Sequence, residues 1–105
     1  LSYEYLLEQT ETISVNSFHK ADLLHQNFPN PFTTETQICF ELPEQSFVSL
    51  DVFDCDGRLL KKLVNSLLFP GMHEVSFYST GLSKGIYIYK LSTNKGVSVR
   101  KMIIK

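Results

Sequence analysis

From Thr36 onward, apolar and polar side chains alternate along this chain with a period of two, which predicts half-buried β-strands. In residues 36–42, Ile38, Phe40 and Leu42 alternate with Gln37, Cys39 and Glu41. Residues 47–54 set Val48, Leu50 and Val52 against Ser49, Asp51 and Phe53, the clearest such pattern in the chain. Residues 72–78 alternate Met72, Glu74, Ser76 and Tyr78 with His73, Val75 and Phe77. Residues 86–92 are dense in β-formers, and residues 97–105 form a last strand. Residues 58–65 are equivocal, because Leu59, Leu60, Leu63 and Val64 also fit one face of a helix. A stretch so short between two turns favours a strand.

Turn signals separate these runs. Pro43 stops the first, Pro70-Gly71 opens the fourth, and Asn94-Lys95-Gly96 makes a tight hairpin. Asp54-Cys55-Asp56-Gly57 combines an Asp able to bond its own backbone with a Gly able to take positive φ. Six strands result, or seven if residues 23–28 join the sheet. The fold class predicted is all-β, an Ig-like antiparallel β-sandwich of about seven strands in preference to a closed barrel.

Ahead of the strands stands Asn27-Phe28-Pro29-Asn30-Pro31-Phe32. Its two prolines remove two backbone donors and fix two φ angles, so the segment must be extended, at a sheet edge or in a turn. Phe28 and Phe32 are too apolar for a solvated linker and are expected to anchor this entry peptide on the domain. The compact module is placed at residues 23–105. Residues 1–22 are expected to be a linker or the tail of a preceding domain, with one candidate strand at 10–15.

Composition narrows the chemistry. A chain of 105 residues is one domain, and 43% hydrophobic residues suffice for a core. A net charge of −1 gives no reason to expect nucleic acid. No apolar run approaches the roughly 20 residues of a membrane helix, so no membrane insertion is expected. No basic-then-apolar leader opens the chain, and Leu1 in place of Met suggests a fragment or processed product.

The two cysteines do not define a disulfide framework. If residues 37–42 and 47–54 paired as a hairpin, Cys39 would face about residue 52 and Cys55 would sit near the strand's far end, which disfavours a disulfide without forbidding it. Two reduced thiols are expected.

Catalysis is not expected either, and no cofactor or metal is implied. His19, His25 and His73 lack metal or triad spacing and suit the surface or a rim. Asp54-x-Asp56-Gly57 resembles part of a calcium loop, but Val52 stands where its first carboxylate belongs and no Glu closes it. No nucleophile elbow or phosphate loop occurs. Asp51 and Asp54 are expected to be solvated.

The closing strand is the feature least explained by packing alone. It ends on Lys101-Met102-Ile103-Ile104-Lys105 with no tail. Lysines protecting an edge strand account for this pattern and are the favoured reading of the residues alone; the alternative is a strand read by a partner, through strand addition or carboxylate capture.

Four landmarks taken together resemble the type A C-terminal sorting domain of the type IX secretion (Por secretion) system. They are the Asn27–Phe32 entry, the strand and turn Leu50-Asp51-Val52-Phe53-Asp54-Cys55-Asp56-Gly57-Arg58, the box Leu82-Ser83-Lys84-Gly85-Ile86-Tyr87, and the lysine-flanked closing strand. Cys55, where many relatives carry an aliphatic residue, and the apolar stretch between Leu63 and Pro70 depart from the pattern.

The resemblance implies a sorting signal on a larger exported cargo, carried to the periplasm by a Sec signal. The outer-membrane machinery, a shuttle barrel and a sortase-like protease, would then move the cargo to the cell surface or beyond. Cleavage would fall upstream of the domain, with cargo released or joined to anionic lipopolysaccharide. By the same resemblance, recognition falls to Lys101, Met102, Ile103, Ile104 and Lys105, supported by Gly85 and Tyr87. Asn27, Pro29, Asn30, Pro31 and Phe32 would shape the entry, and Asp54, Gly57 and Arg58 the turn. A side chain at Gly57 or Gly85 costs roughly 1 kcal/mol or more if φ is positive there.

Two rivals keep the fold and change the role. A carbohydrate- or protein-binding Ig-like or fibronectin-like module predicts an exposed aromatic platform, with Tyr78, Tyr87 and Tyr89 as candidates. A structural or assembly Ig-like domain, like that of flagellar hook-capping proteins, predicts a stable oligomer and no cleavage.

Overall fold

The computed structural model describes residues 23–105, so the candidate strand at 10–15, His19 and the linker expected at 1–22 lie outside the described residues. Six strands run β1 (Glu35–Leu42), β2 (Ser46–Asp54), β3 (Leu59–Leu68), β4 (Gly71–Tyr78), β5 (Gly85–Thr93) and β6 (Gly96–Ile104). All pairings between them are antiparallel. One sheet holds β1 and β4; the other runs in the order β3-β2-β5-β6.

The period-two pattern decides which faces meet. Ile38, Phe40 and Leu42 of β1 and Phe77 of β4 project from the small sheet into the core. Val48, Leu50 and Val52 of β2, Tyr87, Tyr89 and Leu91 of β5, and Met102 and Ile104 of β6 meet them from the large one. Each large buried side chain contributes about 1.5–3 kcal/mol of transfer free energy. The Phe32 and Phe77 rings meet edge-on, their centroids 6.3 Å apart.

The hairpin considered between β1 and β2 does not form. These strands lie in different sheets, and Cys39 faces Glu74 of β4. Each strand carries one apolar stripe, and placing the stripes face to face across the sandwich buries both. Cys39 and Cys55 are free thiols.

The equivocal segment is a strand, β3, and it continues to Leu68. It is an edge strand with most of its side chains exposed, which explains why its sequence lacks a clean alternation.

Residues 23–28 do not make a regular seventh strand. The Glu41 amide donates to the Leu23 carbonyl, the His25 amide to the Cys39 carbonyl, and Phe28 exchanges both bonds with Gln37. The register slips by one residue between His25 and Phe28, so only isolated bridges remain. The peptide bonds preceding Pro29 and Pro31 are both cis. Of the two expected anchors, Phe32 is 1% exposed, whereas Phe28 is 79% exposed and anchors nothing.

Candidate recognition site at the closing strand

The entry peptide is tied to the core by buried polar groups. The Asn27 amide donates to the Tyr89 hydroxyl at 2.7 Å, and that hydroxyl donates to the His25 carbonyl at 2.8 Å. Asn27 Nδ2 donates to Thr36 Oγ1 at 2.9 Å, and Thr36 donates to the Pro29 carbonyl at 2.8 Å. Asn27 and Thr36 are buried among apolar residues, so each bond prevents a desolvated orphan. Among the described residues, no buried side-chain polar atom lacks a partner.

From this knot the chain crosses to the other sheet and lies along β6. Gln26 Nε2 donates to the Lys101 carbonyl at 2.8 Å, and Asn30 Oδ1 accepts from the Ile103 amide at 2.9 Å. The Phe32 amide donates to the Ile103 carbonyl at 3.0 Å, and the Lys105 amide donates to the Phe32 carbonyl at 2.9 Å. Four backbone groups of residues 101–105 are thereby engaged on the side facing away from β5.

The sequence motifs separate by face. Met102 and Ile104 are buried, and so is Tyr87, whose hydroxyl donates to the Ser83 carbonyl at 2.6 Å and closes the loop before Gly85. Gly85 holds φ at 145°, in the region that disfavours side chains. Lys101 and Ile103 point outward between the buried positions, and Lys105 is exposed. Pairing sets Ile103 beside Ile86, Lys101 beside Ile88, and Val99 beside Lys90. The Lys90 ammonium lies 5.3 Å from the centre of the Phe53 ring. Asp51, expected to be solvated, is 8% exposed on this face, with Lys62 Nζ at 3.1 Å and the Ser49 hydroxyl at 3.1 Å.

The turn after β2 forms as its residues predict. Asp54 Oδ1 accepts from the Asp56 and Arg58 amides at 2.9 Å each, and Arg58 Nε lies 3.1 Å from Asp54 Oδ2. The Arg58 amide, aided by the Asp56 amide and the Arg58 side chain, holds the Asp54 carboxyl below its ordinary pKa. Gly57 takes φ 89°.

Tyr78, Tyr87 and Tyr89 do not form the aromatic platform. Tyr87 and Tyr89 face the core and Tyr78 belongs to the opposite sheet. A groove of about 370 Å³ between β3 and β4 meets Tyr78, Leu60 and Leu82. His25 is exposed; His73 stacks on Phe40 with centroids 5.3 Å apart. No metal-binding cluster occurs among the described residues.

Sequence reasoning passed over Tyr89 and Gln26 as fasteners of the entry peptide because their partners are distant in the chain, and over Thr36 because its partners, seven and nine residues away, lie across the proline turn. Ile86, Ile88 and Lys90 could have been found from the alternation within β5.

In this small β-sandwich the first described segment is bonded along the last strand. The model of the secretion system C-terminal sorting domain matches residues 26–105, and the chain belongs to that family. Such a domain is the sorting signal for type IX secretion; the family is not an enzymatic one, and its cargo is secreted, cell-surface or extracellular. A comparison with curated proteins finds no match.

Proposed function

We propose that this domain addresses its cargo to the type IX machinery through residues 101–105, Lys101, Met102, Ile103, Ile104 and Lys105, with Gly85 and Tyr87 holding their neighbour strand. The observation that carries this reading is the division of labour along β6. Met102 and Ile104 lock the strand in the core, while Lys101, Ile103 and Lys105 are presented in a fixed geometry. A receptor that accepts many cargos needs an address independent of what precedes it, and a rigid strand pinned by its own domain supplies one.

On this reading the domain crosses the periplasm with its cargo. The shuttle barrel of the outer-membrane machinery reads it, and the sortase-like protease cuts upstream, in residues 1–22, with the domain beginning at residue 23. Cargo is then released or joined to anionic lipopolysaccharide. Asn27, Pro29, Asn30, Pro31 and Phe32 shape the support for β6, and Asp54, Gly57 and Arg58 close the turn from β2 to β3 at the same end of that sheet as residues 101–105.

The test is a fusion of a Sec signal, a fluorescent protein and residues 1–105 in a host with type IX secretion. Extracellular fluorescence from the intact fusion, and periplasmic trapping once residues 101–105 are deleted, are expected. Normal secretion of the truncation would remove recognition from this strand.

A further inference from the structure

The bonds between the entry peptide and β6 bear on how a receptor can read this strand. Strand addition needs a row of unpaired amides and carbonyls on the edge. Over residues 101–105 that row is engaged by Gln26, Asn30 and Phe32, whose bonds measure 2.8–3.0 Å. An added strand would first have to strip off a segment anchored by Phe32, which is 1% exposed, and by the Asn27–Tyr89 knot. The outer face of the sheet is open in the same region. Ile86 is 47% exposed, next to the partly exposed Ile103 and Ile88.

Among the described residues, cations outnumber carboxylates on that face. Lys90 and Lys101 flank the isoleucines within the paired strands, and Lys105 follows Ile104. The carboxylate among the paired outward positions of β2 and β5, Asp51, is already held by Lys62. An apolar strip framed by lysines complements an apolar patch rimmed by carboxylates. An anionic lipid surface is the less favoured match, because polybasic membrane binding calls on about four to eight clustered cations.

We propose that the receptor docks face-on against Ile86, Ile88 and Ile103, with Lys90 and Lys105 meeting acidic groups of a protein partner, and that it does not add a strand to β6. This rests on the sorting reading above and specifies which surface of the domain carries it.

The experiment uses the same secreted fusion with three variants. Ile86→Ser combined with Ile103→Ser strips the apolar strip, and Lys90→Glu combined with Lys105→Glu reverses its frame. Asn30→Ala uncovers the Ile103 amide and loosens the edge. Thermal unfolding of each purified full-chain variant verifies that the sandwich persists. Face-on docking predicts at least a tenfold loss of extracellular fluorescence for both face variants, with periplasmic accumulation, and no gain for Asn30→Ala.

Parent-level secretion of folded face variants would overturn the proposal while leaving the sorting reading intact; increased secretion of Asn30→Ala would do so in favour of strand addition. Cosedimentation of the purified chain with phosphatidylglycerol vesicles, lost in the lysine variant, would replace the protein partner by a lipid surface. Failure of the unaltered fusion to leave the periplasm would instead remove the sorting reading itself.

Discussion

Replacing Tyr89 by Phe removes one oxygen and keeps the ring, which isolates the joint between entry peptide and core. The lost hydroxyl accepts from the Asn27 amide and donates to the His25 carbonyl. Tyr89 is 0% exposed and Asn27 2%, so the Asn27 amide is left with little access to water. An orphaned buried donor costs about 1–3 kcal/mol, whereas the carbonyl of the exposed His25 can return to solvent. We expect Tyr89→Phe to destabilise the chain by about 2 kcal/mol, which for a domain of this size lowers Tm by about 8–16 °C. Guanidinium unfolding of the full chain measures the loss, and hydrogen exchange localises it, with the Asn27 amide exchanging faster than in the parent. A change under about 0.5 kcal/mol, the range of an ordinary surface substitution, with Asn27 exchange unaltered, would refute the reasoning. The entry peptide would then be held by its edge bonds, the Asn27–Thr36 contact and the buried Phe32, without help from the Tyr89 hydroxyl.

Three further outcomes follow from particular residues. The folded pKa of Asp54 lies below its unfolded value, so its contribution is present above about pH 4 and fades as the pH falls through the folded pKa. Asp54→Asn removes that titration, and urea midpoints below about pH 4 should fall less steeply than in the parent. Gly57→Ala meets no atom within 4 Å of the new Cβ, so its penalty is the backbone strain of φ 89° alone, about 1 kcal/mol in the unfolding free energy. Burial, then the Glu74 charge and its contact with Sγ, push the Cys39 thiol above its ordinary pKa. Iodoacetamide at about pH 8 should therefore modify exposed Cys55 before Cys39, as followed by peptide mass analysis.

Much of the architecture was legible because period-two alternation is a direct record of burial. In β2 it assigned Val48, Leu50 and Val52 to the core, and in β4 it separated Phe77 from Tyr78. It failed where burial was not the organising force. Edge strand β3 touches the core through a few residues only, and Leu23–Phe28 slips register because Asn27 turns inward to Tyr89. Pairing partners were not readable for β1, since alternation says which side faces inward and not which neighbour lies alongside. The closing motif was visible as a string, yet its two halves do different things. Met102 and Ile104 hold the strand, while Lys101 and Ile103 face out. The opposed exposures of Phe28 and Phe32 had no signal, because both are Phe beside Pro.

The bond between Asn30 and Ile103 joins positions 73 residues apart. Contacts so distant must wait for nearly the whole intervening chain, which makes them among the last to be available during synthesis. A ribosome that stalls or terminates before residue 102 therefore releases a product in which Asn30 has nothing to hold and the core lacks Met102 and Ile104. Such a product has no finished sandwich and no presented strand. On the sorting reading proposed above, the address is in this sense a proof of completion: it comes into being when the closing strand joins the entry peptide, so a chain truncated within this domain carries no valid label.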